Sequence, residues 1–172
     1  MRERAVLGPA PAAGFEAFFR AHHHVVVRLA YSVLGDFQRA QDVAQEVFLA
    51  AHRRFGESPE RAAGWVRVAA AHTALNALRS ERRRDRRQQL ASASGSLPSA
   101  EEAAIERETR AELRAALGRL PRRQAAVVVM RHGGMSYAEI AAALGVKVGN
   151  VGTTLRRAES ALGKELNRAA RH

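Results

Sequence analysis

The sequence contains no cysteine. That absence excludes a disulfide framework, a cysteine-ligated zinc finger, an iron–sulfur cluster and a cysteine nucleophile, and it fits a reducing compartment. No apolar run approaches the roughly 20 residues of a membrane-spanning helix, so no membrane insertion is expected. Arg2 and Arg4 are not followed by a continuous apolar stretch, which argues against a secretory leader. Strict alternation of apolar and polar residues, the mark of a half-buried strand, is missing as well. So are the groupings that catalysis needs: a nucleophile–base pair, a glycine-rich phosphate loop, or paired carboxylates in an acid–base setting. His22, His23 and His24 point in three directions from a helix and cannot converge on one ion. The expectation is a soluble cytoplasmic protein that is not an enzyme and holds neither metal nor cofactor.

Acidic residues are scarce. The 172 residues include 17 Asp or Glu against 28 Lys or Arg, a net charge of +11. An excess of that size points to a polyanionic partner, nucleic acid before anionic membrane. Apolar residues still make up 47 %, enough to build a core. The positive charge is concentrated: residues 79–87 hold six Arg against Glu81 and Asp85, and residues 147–172 hold six basic residues against Glu159 and Glu165. Residues 36–60 carry five acids against three bases. Two separate anion-facing surfaces follow from that placement, rather than an even solubilising coat.

What is present is helical periodicity. Phe15, Phe18, Phe19, Val26, Leu29, Ala30 and Val33 recur at helical spacing, then Ala40, Val43, Ala44, Val47, Phe48 and Ala51, then Trp65, Val68, Ala69, Leu75 and Leu78. A stretch rich in Ser, Gly and Pro over residues 88–104 reads as a flexible linker. The predicted architecture is all-α. It has a short tail (1–14), a three- to four-helix bundle (15–87), the linker (88–104) and a smaller helical domain (105–168). With a flexible linker, the two halves are expected not to be fixed relative to each other.

The smaller domain is the more strongly punctuated. Pro121 suits the first turn of a helix and Gly133-Gly134 its end. Ser136 and Glu139 form a capping box, opening a helix that buries Ile140, Ala141 and Leu144. Gly145 marks a turn needing positive φ, and Val146 plugs the corner. A second helix begins near Lys147 or Val148, with an apolar stripe of Val148, Val151, Leu155, Ala158 and Leu162. Its other faces carry Lys147, Asn150, Thr153, Thr154, Arg156 and Arg157. This is the pattern of a helix-turn-helix whose second helix enters the major groove. In the bundle, Arg39, Asp42, Gln45, Glu46 and Leu49 stand opposite an apolar stripe. A polar face with an exposed Leu suits a protein partner better than DNA.

Taken together, Asp42 to Leu49 (Asp-x-x-Gln-Glu-Val-Phe-Leu), the Trp-Val and Leu-Arg elements between Trp65 and Arg79, the Leu120-Pro-x-x-Gln124 element and the Glu139-Ile140-Ala141 helix-turn-helix resemble the extracytoplasmic-function (group IV) sigma factors of bacterial RNA polymerase. The resemblance covers residues 15–87 and 105–167. It implies that Asp42, Gln45, Glu46 and Leu49, with Arg39 beside them, bind core RNA polymerase through its β and β′ subunits. It implies that Trp65, His72, Asn76 and Arg79, with Arg82, Arg83 and Arg84 on phosphates, read and open the minus-ten element of promoter DNA. Lys147, Asn150, Thr153, Thr154, Arg156 and Arg157 would read the minus-thirty-five element. An anti-sigma factor is implied as a further partner. The recognition helix departs from commoner family residues at Lys147, Asn150, Gly152 and Thr154, which bears on the promoter sequence. Two other classes remain open: a helix-turn-helix regulator that binds duplex DNA without polymerase, and a nuclease, for which the histidines lack partners.

Overall fold

The computed structural model describes residues 11–89 and 101–169, and among them every regular element is a helix. The N-terminal half comprises α1 (Pro11–Leu34), α2 (Phe37–Phe55), a 3-10 turn (Pro59–Ala62) and α3 (Ala63–Gln89). The C-terminal half comprises α4 (Glu101–Arg119), α5 (Arg122–His132), α6 (Tyr137–Leu144) and α7 (Val148–Ala169). Regular structure enters both ends of the predicted 88–104 linker, whose residues 90–100 lie outside the described residues, as do residues 1–10 of the tail.

Local chemistry sets the boundaries. Asp36 caps α2 by accepting the Arg39 N–H at 2.9 Å. The six apolar residues of the predicted α2 stripe, Ala40 to Ala51, are all buried. On α3 the buried set is Val66, Ala70, Ala71, Ala74, Leu75 and Leu78, whereas Trp65, Val68 and Ala69 are only half-buried. The predicted stripe is therefore rotated. Small alanines face the bundle and let α1 and α2 approach, while Trp65 packs on the Phe55 ring at 5.6 Å near the start of the helix. Two residues of the histidine run pack on aromatic rings, His22 on Phe18 at 4.5 Å and His23 on Phe19 at 4.8 Å, while His24 is exposed.

In the C-terminal half, Pro121 is the cap of α5 rather than its first helical residue, with ψ 141°; its missing N–H costs nothing in either place. The capping box of α6 is complete: Ser136 Oγ accepts the Glu139 N–H at 3.2 Å, and the Glu139 carboxylate accepts the Ser136 N–H at 2.7 Å. These bonds hold the Glu139 carboxyl below its usual pKa. Gly145 closes α6 at φ +63°, a conformation costly for any residue with a Cβ. Val151, Leu155 and Ala158 are buried as expected, but Val148 is 51 % exposed because the first turn of α7 projects past its neighbours. Leu144 is half-buried. Ser136→Ala is expected to destabilise the protein by about 1 kcal/mol. Urea unfolding followed by circular dichroism checks this, and an unchanged midpoint would show that the box contributes nothing.

The halves do not pack separately. One continuous hydrophobic cluster runs from Phe18 in α1 through Leu75 and Leu78 in α3 to Met130, Ile140 and Ala158 in the C-terminal half. Helix α3 packs against α4, α5 and α6 as well as its own bundle. In this arrangement the halves are in contact across the predicted linker. Buried apolar surface joins them, a term that linker composition does not report.

Candidate nucleic-acid interface

The second helix of the helix-turn-helix is the most open of the predicted faces. On α7 and just before it, Lys147, Asn150, Thr153, Arg156 and Arg157 are exposed and Thr154 is half-buried. The Thr154 hydroxyl donates to the Asn150 carbonyl at 2.8 Å, leaving its oxygen available as an acceptor. A Cβ on Gly152 would meet only the Tyr137 ring at 3.5 Å, so neither space nor backbone geometry demands glycine there. Helix α7 thus presents amide, hydroxyl and guanidinium groups together, the set that can both read base edges and hold phosphates.

A second face lies on α2, where Asp42, Gln45, Glu46 and Leu49 are exposed. Arg39 is engaged elsewhere: its guanidinium reaches both oxygens of Glu81 on α3 at 2.8 Å, tying the two helices together. Beside Gln45 and Leu49, an apolar groove of about 400 Å³ opens between α1 and α2, lined by Phe15, Phe19, His23, Phe48 and His52. Sequence reasoning missed this groove, although the Phe15–Phe18–Phe19 cluster signals more aromatic surface than one helix face can bury.

The third face, on α3, is largely occupied by the C-terminal half. The Arg79 guanidinium donates to the Leu120 carbonyl at 3.2 Å, and Arg122 at the start of α5 donates to the Asn76 side-chain oxygen at 2.6 Å. Arg67 pairs with Glu139 at 3.4 Å, a partly exposed contact of small energetic weight. Arg82 lies over Gly118 of α4, where a Cβ would come within 2.8 Å of its side chain. Burial and the nearby Arg119 lower the Arg82 pKa, while Glu165 acts against them. Asn76, Arg79, Arg83 and Arg122 together line a cleft of about 420 Å³. Arg84 is exposed beyond it, and Trp65 stands far back along the helix.

Electrostatics follow from this closure. Burial first, then the charges of Arg122 and Arg79, push the His72 pKa below its ordinary 6.5, so the ring is neutral at neutral pH. With the folded value below the unfolded one, the neutral ring's contribution is fully present above that ordinary value and is lost as pH drops below it through the folded value. Arg79 is likewise shifted down, by burial first and then by Arg122 and Arg83. The structure therefore gathers Asn76, Arg79 and Arg83 with Arg122 in one cleft, places His72 under the influence of Arg79 and Arg122, and separates them all from Trp65. The only sequence signal for Arg122 was a basic pair directly after Leu120-Pro121.

Residues 18–84 match the family model described as sigma-70 region 2, and residues 110–162 match that described as sigma-70, region 4. The ECF RNA polymerase sigma factor SigM of Mycobacterium tuberculosis is 34 % identical over 155 residues, covering 88 % of this chain and 76 % of that protein. The ECF RNA polymerase sigma factor SigE of Mycolicibacterium smegmatis is 32 % identical over 154 residues, or 86 % of this chain. The chain spans 60 % of that relative's length. Among solved structures, the sigma factor RpoE in complex with the anti-sigma factor NepR from Bartonella quintana aligns with a TM-score of 0.54 at 19 % identity. That alignment covers 90 % of this chain and 97 % of the other, a likeness of fold.

Proposed function

The chain belongs to the extracytoplasmic-function branch of the sigma-70 family, and from that premise we propose that it is a promoter-specificity subunit of RNA polymerase with no catalysis of its own. The observation that carries the reading is the division of its surface. The exposed face of α2 carries acid, amide and leucine from Asp42 to Leu49, with bases only in its last turn, whereas α7 and the residue before it present exposed Lys147, Asn150, Arg156 and Arg157 with no acid before Glu159. One face suits a protein and the other suits DNA.

In this reading Asp42, Gln45, Glu46 and Leu49 dock on core polymerase, its β′ subunit foremost, and the aromatic groove beside them extends the contact. Asn150, Thr154 and Arg157, one turn apart on α7, read the minus-thirty-five element, with Lys147, Thr153 and Arg156 around them. His72, Asn76 and Arg79 read the minus-ten element, with Arg82 to Arg84 on its phosphates and Trp65 supporting the helix. The α3 contacts to Leu120 and Arg122 must part before that can happen. An anti-sigma factor is a fitting partner, since a protein seated on the α2 face would hold the chain off polymerase.

Run-off transcription with core polymerase tests the whole reading. Promoter-specific initiation should require both proteins, and specific duplex binding by the chain alone would instead favour a free-standing regulator. Asp42→Ala with Glu46→Ala is expected to weaken core binding by about tenfold, the effect of losing about 1.4 kcal/mol between the two side chains. Both residues are exposed, so far-UV circular dichroism should not change. Parental core affinity in that variant would remove the α2 face from the interface.

A further inference from the structure

Several arginines at the contacts between helices of this protein are matched with acids. Arg39 has Glu81, Arg67 has Glu139, and Arg119 has Glu165. The arginines of the cleft between α3 and α5 line it without an acid. Its lining is Asn76, Arg79, Arg83 and Arg122, and no carboxylate among the described residues contributes to it. Arg122 and Arg83 both act on Arg79 as like charges. One terminal nitrogen of Arg79, Nη1, is buried and has no hydrogen-bond partner. The other, Nη2, is spent on the Leu120 carbonyl, and Arg122 spends Nη2 on Asn76. Each guanidinium carries five N–H donors in a planar fork, so most of the donors here are unspent. Guanidinium forks match phosphate oxygens in shape and charge, and converging cations in a partly dehydrated site are relieved by a multivalent anion.

We propose that this cleft is a binding site for a compact phosphate polyanion, of the class of pyrophosphate or a nucleotide's polyphosphate tail, which clips the two halves of the chain together. Arg79 and Arg83 come from α3 and Arg122 from α5, so an anion touching all three bridges the halves. The phosphate chemistry is shared with a DNA backbone, but the geometry favours the small ligand. Arg122 closes over Asn76 at 2.6 Å, so a continuous strand reaching Asn76 has to displace it, whereas a short polyphosphate enters with the halves closed. The anion and the opened form thus exclude each other.

The test uses the full chain without polymerase, so its outcome is independent of promoter activity. Because the chain has no cysteine, donor and acceptor dyes can be placed cleanly through Glu60→Cys and Ser160→Cys, one in each half. Titration with sodium pyrophosphate at constant ionic strength should raise energy transfer between the dyes, and the thermal midpoint, to a plateau. Arg122→Gln and Arg83→Gln should each weaken the half-saturation concentration by about tenfold, as expected for losing one charge-assisted fork. Arg83→Gln leaves both inter-half hydrogen bonds in place, which separates anion binding from closure itself. Arg20→Gln on α1, outside both faces, should respond to pyrophosphate as the parent does. The proposal is overturned if the two cleft variants respond as the parent does, or if sodium chloride at matched ionic strength gives the same rise. It is overturned equally if pyrophosphate leaves energy transfer unchanged, or if a short single-stranded deoxyoligonucleotide raises it as pyrophosphate does.

Discussion

Promoter-directed transcription is expected to fall by about a hundredfold when α3 and α6 are tethered through a cleavable cross-linker, the factor that follows from holding about 99 % of molecules closed. The tether joins Arg67→Cys and Glu139→Cys, whose parent side chains meet at 3.4 Å at the rim of the contact. The parent chain has no cysteine, so no other site reacts. Closure keeps Asn76 under Arg122 and Arg79 against the Leu120 carbonyl, so the tethered α3 cannot present both to a DNA strand. The α2 face stays exposed in the same arrangement, and core binding should therefore survive tethering. Loss of transcription with core affinity retained would locate the defect at DNA. Cleaving the linker should restore activity to that of the uncross-linked double variant, a control that absorbs the cost of losing the Glu139 cap. Full transcription by the tethered protein would mean that the closed form itself initiates.

The features legible in the sequence are those set by near neighbours. Ser136 and Glu139 are three residues apart, and Gly145 ends the helix they begin, so capping chemistry fixed α6 without tertiary information. The α2 stripe was equally plain because that helix buries one face only. Helix α3 resisted for the opposite reason. It is contacted by the bundle on one side and by α4, α5 and α6 on another, and its alanines carry little hydrophobic signal, so its phase was misjudged. The basic run at residues 79–87 read as one surface, yet the structure divides it. Arg79 and Arg82 pack on the C-terminal half, while Arg83 and Arg84 are exposed. The partners that divide it are more than 30 residues away in sequence, across the Ser-rich segment. Counting charge tells how much cation a segment carries, not which cations are already spoken for.

If tethering holds the protein shut, a wedge should hold it open, and Gly133 is the place for one. A Cβ built on Gly133 would come within 2.8 Å of Leu29 Cδ1, below any normal carbon–carbon contact, and within 3.1 Å of the Val129 carbonyl oxygen. Leu29 is 2 % exposed and has no solvent to swing into, so the strain falls on the packing of α1 against the C-terminal half. Gly133 has φ −74°, a value open to alanine, so the effect is one of space and not of backbone conformation. Overpacking of this kind costs about 1–3 kcal/mol. The Val129 contact lies within α5 and its cap and is the same in both forms, but the Leu29 clash is paid only while the halves touch, so Gly133→Ala should shift the balance toward the open form by about 5- to 150-fold. Energy transfer between dyes at positions 60 and 160 should fall, and binding of single-stranded minus-ten DNA by the chain alone should rise. Leu29→Val removes the clashing Cδ1, so adding it to Gly133→Ala should recover part of the lost closure, a non-additivity expected only of residues in contact. Unchanged energy transfer in the single variant would show that Leu29 yields at no cost. Additive effects in the double variant would break the link between this contact and closure.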